Sequence, residues 1–120
     1  MKKLFALRGA VCCENTDTGI RDAVCSMYGK LLDANKLCEA DIVSLVFSVT
    51  PDLDAKNPCA ALREGGYAGE TALFAAQEAR SAGMPNGIIR ALLHCYLDDG
   101  AKPVHIYTGG AEKLRPDRKG

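Results

Sequence analysis

The feature that most constrains the fold is a pair of apolar runs separated by a short connection of small residues. The runs cover residues 71–76 and 88–97, with Gly83, Pro85 and Gly87 between them. Glu78 follows the first run, and Arg90 lies inside the second. A buried charge is costly unless it is paired, hydrated or bound to a ligand. The stretch therefore predicts two buried segments, one followed by a negative charge and the other containing a positive charge. A structural ion pair between Glu78 and Arg90 is the simplest interpretation.

The composition indicates one domain and gives no sign of a polyanionic partner. The chain has 120 residues, of which 48% are hydrophobic, enough for a single core over residues 1–120. The chain has 15 basic residues (Lys and Arg together) and 15 acidic residues (Asp and Glu together), so its formal net charge is zero. Binding to nucleic acid or to an anionic membrane is therefore not expected. An anionic ligand would need a local cluster of basic residues.

The cysteines and the N-terminal residues both indicate the cellular compartment of the protein. Six cysteines occur at positions 12, 13, 25, 38, 59 and 95, without a CxxC pair or a zinc spacing. We interpret them as reduced thiols that act as small hydrophobic residues, which favours a cytoplasmic protein. The apolar run at residues 4–7 ends at Arg8, too early for a signal peptide. No run approaches the roughly 20 apolar residues of a membrane helix, so a soluble protein is predicted.

Periodicity and capping residues predict an α+β fold. Thr16 or Asp17 can cap a long helix that ends near Asn35, and Asn57 followed by Pro58 can begin a short one. The expected order is a strand at 3–11, a helix at 16–35, a strand at 41–49, a helix at 57–64, and strands at 71–76, 88–97 and 104–111. This order fits a mixed sheet with helices on one face, a ferredoxin-like arrangement. Its open edges could be hidden by oligomerisation. Residues 113–120 are expected to form a mobile tail.

No acid–base or metal constellation stands out. Ser44, Ser48, His94 and His105 fall into strand patterns, and no His, Asp or Cys cluster has metal spacing. Isolated charges at element ends remain, with Tyr107 in the last strand. Arginine binds carboxylates in a fixed bidentate geometry, so this set suits a small polyanion that carries a hydroxyl. The charged set is Arg8, Arg63, Glu78, Arg90 and Arg115.

The same residues resemble a known family. The sequence is similar to the monofunctional chorismate mutases of the trimeric, barrel-like AroH class, over nearly the whole chain and in the same order. The segments that carry the resemblance are RGAV at 8–11, SVTPDL at 48–53, ALREG at 61–65, QE at 77–78, Arg90, Tyr107 and LRPD at 114–117. Asn57 and Ala60 depart from it where the family often has an aromatic residue and a lysine, and Phe74-Ala75 replaces a small polar pair.

The resemblance implies a fold, a reaction and a set of roles. It implies a homotrimer whose sheets form a pseudo-α/β-barrel, with active sites between subunits, and conversion of chorismate to prephenate without a cofactor or metal. Arg90, Glu78 and Arg8 would be catalytic. Arg90 would contact the breaking ether oxygen, and Glu78 would accept the ring hydroxyl. The implied substrate-binding residues are Tyr107, Arg63, Phe74, Ala75, Asn57, Leu114 and Arg115.

The residues support this reading in one independent respect. A unimolecular rearrangement needs a restrained dianion and a cation at the breaking oxygen, and it needs no nucleophile or general base. Two alternatives stay open at this point. One is a trimeric enamine or imine deaminase-like hydrolase, which also uses an arginine and a carboxylate. The other is a trimer that binds a metabolite without turnover.

Overall fold

The sheet has five strands, and the apolar pair of runs provides two of them. The computed structural model of the protein describes residues 1–114. Two α-helices and two short 3-10 helices, at Glu39–Asp41 and Ala111–Leu114, accompany the sheet. The strands and α-helices are β1 (Lys2–Cys12), α1 (Asp17–Asn35), β2 (Ile42–Val49), α2 (Pro58–Glu64), β3 (Ala72–Gln77), β4 (Ile88–Asp98) and β5 (Ile106–Thr108).

Local signals set the ends of both α-helices as predicted. The Thr16 side chain accepts a hydrogen bond from the Gly19 amide, 2.9 Å away, and so caps the first turn of α1. Helix α1 ends at Asn35, and Lys36 takes a left-handed conformation with φ of 49°. The Asn57 side chain accepts from the Cys59 amide, at 2.8 Å, and Pro58 opens α2.

The strand order is β3-β2-β4-β1-β5. β4 pairs antiparallel with β1 and with β2. At the edges of the sheet, β5 pairs parallel with β1, and β3 pairs parallel with β2. Side chains alternate between the faces, and α1 and α2 cover one face. The α+β mixed sheet with its helices on one face is thus confirmed. The core on that face includes Leu7, Ile20, Leu31, Leu45, Phe47 and Leu93, all fully buried.

The other side of the sheet, which we call the open face, carries apolar side chains in contact with solvent. Phe74 is 64% exposed and Leu92, on the central strand, is 40% exposed. Contiguous exposed apolar surface on a soluble protein commonly marks a contact with another molecule. The remaining large apolar residues of this face are Leu4, Val46 and Tyr96.

The last strand is shorter than predicted. A strand at 104–111 was expected, but β5 covers only Ile106–Thr108. The Asn35 side chain explains the late start, because it accepts from the Val104 amide at 2.8 Å and donates to the Val104 carbonyl at 2.9 Å. Gly109 and Gly110 end the strand with positive φ angles of 63° and 101°. Of the tail predicted at 113–120, only the first two residues are described, and they belong to the second 3-10 helix.

The described cysteines are all free thiols. Cys59 and Cys95 are buried, Cys12, Cys13 and Cys25 are partly buried, and Cys38 is exposed. Burial raises the pKa of Cys13 to about 11, so this thiol stays protonated at neutral pH. Within residues 1–114, no helix is long and apolar enough to cross a membrane.

Candidate active site

Glu78, just after β3, and Arg90, near the start of β4, meet at one end of the open face. Arg90 donates from Nε to Oε1 of Glu78, 2.9 Å away, and both side chains are partly accessible to solvent. The ion pair expected from the sequence therefore forms. The contact to Glu78 uses one of the five guanidinium donors. Arg90 can consequently hold Glu78 and still offer donors to a ligand.

Ser48 is a third member of this group, although sequence reasoning assigned no role to it. It lies opposite Arg90 in the β2–β4 pairing, and its hydroxyl donates to the same Glu78 Oε1 at 3.4 Å. The Glu78 amide donates to the Val49 carbonyl at 2.7 Å, which fixes the backbone where β3 ends. Only the strand register reveals that Ser48 shares a face with Arg90. The sequence signal was limited to the alternation of polar and apolar residues in β2.

A small pocket of about 170 Å³ opens beside the ion pair. Arg8 and Arg90 lie on adjacent strands, with Arg90 paired to Ala10 and Tyr107 paired to Ala10 from the other side. Ala10 is small, so the space above it stays open between the two guanidiniums and the phenol ring. Two arginines that line one pocket suit a ligand with carboxylates. The lining consists of Arg8, Gly9, Ala10, Arg90, Ala91 and Tyr107.

The backbone of Arg8 is held from the edge of the sheet. Its amide donates to Nδ1 of His105, 2.9 Å away. Leu114 packs against the cluster of Ala10, Tyr107 and Ala111, two of which line the same pocket. The structure therefore brings together Arg8, Arg90, Tyr107, Glu78 and Leu114 from the predicted set. Arg115 lies outside the described residues.

The other predicted residues lie elsewhere. Asn57 and Ala75 share a second pocket of about 270 Å³, which is lined by the end of β2, by β3 and by the segment that leads into α2. Phe74 points to the open face, since neighbours along a strand alternate. Arg63 is exposed in the last turn of α2 and lines neither pocket. Within one chain, the predicted residues thus form two separate groups.

Lys56 is a residue of the second pocket that sequence reasoning missed. Its ammonium group is bonded to Glu64 and lies 3.4 Å from Asp17, and these contacts raise its pKa. A lysine in a turn carries no pattern of its own, so only the folded chain places it beside Asn57. The other residues lining this pocket are Val49, Leu53, Asp54, Pro58, Ala75, Ala76 and Gln77.

The arrangement offers electrostatic chemistry. The first pocket provides fixed cations, a phenol and one carboxylate acceptor. Among residues 1–114, no group of three or more His, Cys, Asp or Glu side chains could hold a metal ion. Cys12 follows Arg8 and Ala10 on the same face, and its pKa is raised, chiefly by burial. The pocket can therefore bind and polarise a small carboxylate-bearing molecule.

A pocket lined by two arginines on the open face of an α+β sheet is suited to an anionic ligand, and comparison with known proteins identifies the family. The family model for chorismate mutase type I matches residues 4–118. The chorismate mutase AroH of Thermus thermophilus is 32% identical over 114 residues, which cover 92% of this chain and 93% of that protein. A chorismate mutase structure from Clostridium thermocellum superposes with a TM-score of 0.84 at 34% identity, and covers 92% of this chain and 99% of its own.

The chain belongs to the type I chorismate mutase family, and it is a chorismate mutase, an isomerase.

Proposed function

We propose that the pocket beside the Glu78–Arg90 pair is where chorismate rearranges to prephenate. The observation that carries this proposal is the position of Arg90, which is fixed by Glu78 and adjoins the pocket lined by Arg8 and Tyr107. A dicarboxylate matches the two guanidiniums in charge and in geometry. The product belongs to the biosynthesis of phenylalanine and tyrosine.

The reaction is a rearrangement within one molecule. The ether C–O bond breaks while a new C–C bond forms, and no atom enters or leaves. The enzyme therefore has two tasks, which are to hold the flexible dianion in a compact chair and to stabilise the negative charge that grows on the ether oxygen. Arg90 would supply the charge stabilisation, because its guanidinium is positioned before the reaction begins. This mechanism needs no cofactor.

The residues around Arg90 would orient the substrate. Arg8 and Tyr107 would bind a carboxylate, and Glu78 would accept the hydrogen bond of the ring hydroxyl. Glu78 can do so while it is paired to Arg90, because an ionised carboxylate has about four lone-pair sites. Ser48, which donates to Glu78, would help to keep the carboxylate in place.

The site would be completed by a neighbouring subunit in a homotrimer. A pocket of about 170 Å³ is smaller than the roughly 300–1,000 Å³ of typical ligand pockets. Asn57 and Ala75 line a different pocket, and Arg63 and Phe74 line neither. These four residues would contribute substrate contacts across the subunit boundary, and Leu114 with Arg115 would add contacts from the end of the chain. The exposed apolar side chains of the open face, Leu92 and Phe74 among them, would be buried in the same assembly.

A cytoplasmic location is part of the proposal. It rests on the free thiols of the described cysteines, which are typical of a reducing compartment.

The direct test mixes the purified protein with chorismate and follows its loss and the appearance of prephenate. We expect stoichiometric conversion, and a kcat that is nearly flat between about pH 6 and 8, because no proton moves in the chemical step. Binding of chorismate without prephenate formation would contradict the proposal and indicate a metabolite-binding protein. A bell-shaped pH profile for kcat, with Glu78 as the titrating base, would favour a deaminase-like mechanism instead.

A further inference from the structure

Thr50, at the exit of β2, is the one buried polar side chain among residues 1–114, with no exposed surface. Its amide donates to the Ile88 carbonyl at 3.0 Å, and its hydroxyl accepts from the Ile88 amide at 3.1 Å. The Thr50 carbonyl is turned away, because it accepts from Leu53 in the turn that contains Pro51. The Thr50 hydroxyl thus takes the place of the Thr50 carbonyl as acceptor for the Ile88 amide. The hydrogen bonding between β2 and β4 is thereby extended by one residue pair.

Asp52, two residues further on, holds the residue before Ile88. The Gly87 amide donates to both carboxylate oxygens of Asp52, at 3.0 and 3.2 Å. Burial raises the pKa of Asp52, but hydrogen bonds from the Thr50 hydroxyl and the Gly87 amide outweigh it, so the net pKa is lowered. Asp52 is therefore a carboxylate at neutral pH, and Gly87 is bonded to a charged acceptor.

Gly87 is also held from the opposite side. Its carbonyl accepts from the Cys13 amide at 2.9 Å, just beyond the end of β1. Its φ of 75° lies in the left-handed region, and a Cβ atom there would come within 3.1 Å of the Cys13 carbonyl oxygen. The start of β4 is thus tied to β1 and to the turn after β2.

These contacts bear on the ion pair because Glu78 and Arg90 lie at the two ends of an exposed connection. Such a connection by itself does not align its ends. Val49 holds the Glu78 amide, and the adjoining Thr50–Asp52 turn holds Gly87 and Ile88, two residues before Arg90. One short segment of chain therefore sets both members of the pair.

We propose that Asp52, acting with Thr50, is a positioning residue for the rearrangement, which keeps the Arg90 guanidinium aligned with Glu78 and with the breaking bond. This inference rests on the proposed function. Asp52 does not line the pocket beside Arg90, so it acts through the backbone of β4. Its loss should affect charge stabilisation in the transition state more than ground-state binding, because displacements near 1 Å can cost about 10²-fold in rate.

The test measures kcat and KM separately for Asp52→Ala and Thr50→Val. We expect kcat to fall by about 10- to 100-fold while KM changes less than about threefold. Asp52→Asn and Thr50→Ser should retain more activity, because each keeps an acceptor for the amide it holds. Asp41→Ala is the matched control, since it removes another paired carboxylate, bonded to Lys2, at the opposite end of the sheet. It should leave kcat unchanged.

A coupling measurement separates positioning from a general loss of structure. In an Arg90→Met background, Asp52→Ala should cause almost no further loss of kcat, because no guanidinium is left to misplace. Amide exchange should become faster at Gly87 and Ile88, with α1 unaffected. An unchanged kcat in Asp52→Ala, or losses that multiply in the double variant, would overturn the positioning role alone. A wild-type protein that does not convert chorismate would overturn the proposed function as well.

Discussion

Arg90 combines two requirements that usually conflict. Its charge must be compensated in a partly buried position, and it must keep donors available for a ligand. Glu78 meets the first requirement, since its carboxylate oxygen 2.9 Å from Nε pairs with the positive charge and fixes the plane of the guanidinium. The second requirement is met by the shape of the guanidinium, because its Nη donors point away from the Nε that binds Glu78 and remain available to a ligand. A lysine at this position has a single ammonium group and could not satisfy both.

Replacing Arg90 tests this directly. Arg90→Met keeps much of the packing length and removes the charge, so kcat should fall by at least about 10²–10³-fold, the cost of deleting one preorganised donor elsewhere. Arg90→Lys should recover only part of the loss, because an ammonium cannot reach the ether oxygen and a carboxylate together. Steady-state kinetics at saturating chorismate provides the measurement, with thermal unfolding as the check on folding. A near-normal kcat in Arg90→Met would exclude the proposed mechanism.

At the level of elements, the second 3-10 helix links the pocket to the end of the chain. Ala111 is buried in a cluster with Ala10 and Tyr107, both of which line the pocket. Leu114 packs against this cluster. The Gly110 amide donates to the Glu112 carboxylate at 2.7 Å, which holds the turn that leads into this helix. Leu114, the last residue that the structure describes, therefore lies next to the pocket.

Truncation separates the parts of this segment. Deleting residues 118–120 should leave activity nearly intact. Removing everything from Leu114 onward should mainly raise KM, because Leu114 and Arg115 are proposed to contact the substrate without taking part in the bond changes. Both truncated proteins would be assayed over a range of chorismate concentrations. Unchanged kinetics after the longer deletion would contradict a binding role for Leu114 and Arg115.

For the molecule as a whole, the open face is where large apolar side chains of the described chain remain in contact with solvent. The helices bury one side of the sheet, while Leu92, Phe74 and Tyr96 remain exposed on the other. Burial of apolar surface contributes about 25 cal/mol per Å², so a face of this kind favours association. In the proposed trimer, the pocket lined by Asn57 would adjoin the pocket beside Arg90 of another copy.

Assembly and activity should therefore be lost together. Light scattering should show a trimer for the wild-type protein at micromolar concentration. Leu92→Lys, on the central strand, should dissociate it and lower activity in parallel, because a charge on a buried apolar interface is costly. Ala34→Lys adds the same charge to an exposed position of α1 and serves as the control. A monomeric wild type would contradict both the trimer and a site shared between subunits.

Local sequence signals are sufficient to predict the kinds of elements and most of their ends. Thr16, Asn57 with Pro58, and Gly65 act on the amides and carbonyls within a turn or two, so their signals are complete in the local sequence. The identities of the arginines and of Glu78 also limited the chemistry to anion binding. The resemblance then supplied the reaction, and the family comparisons confirmed it.

The strand order, the register and the composition of the site depend on tertiary contacts. The parallel pairing of β1 with β5 and the shortening of β5 by Asn35 depend on contacts between residues far apart in sequence. The same holds for Ser48 beside Glu78 and for Asp52 at Gly87. Such contacts form because one face of the sheet must be buried and because buried amides need partners. Neither requirement is local, so the periodicity of a single segment cannot specify which residues meet.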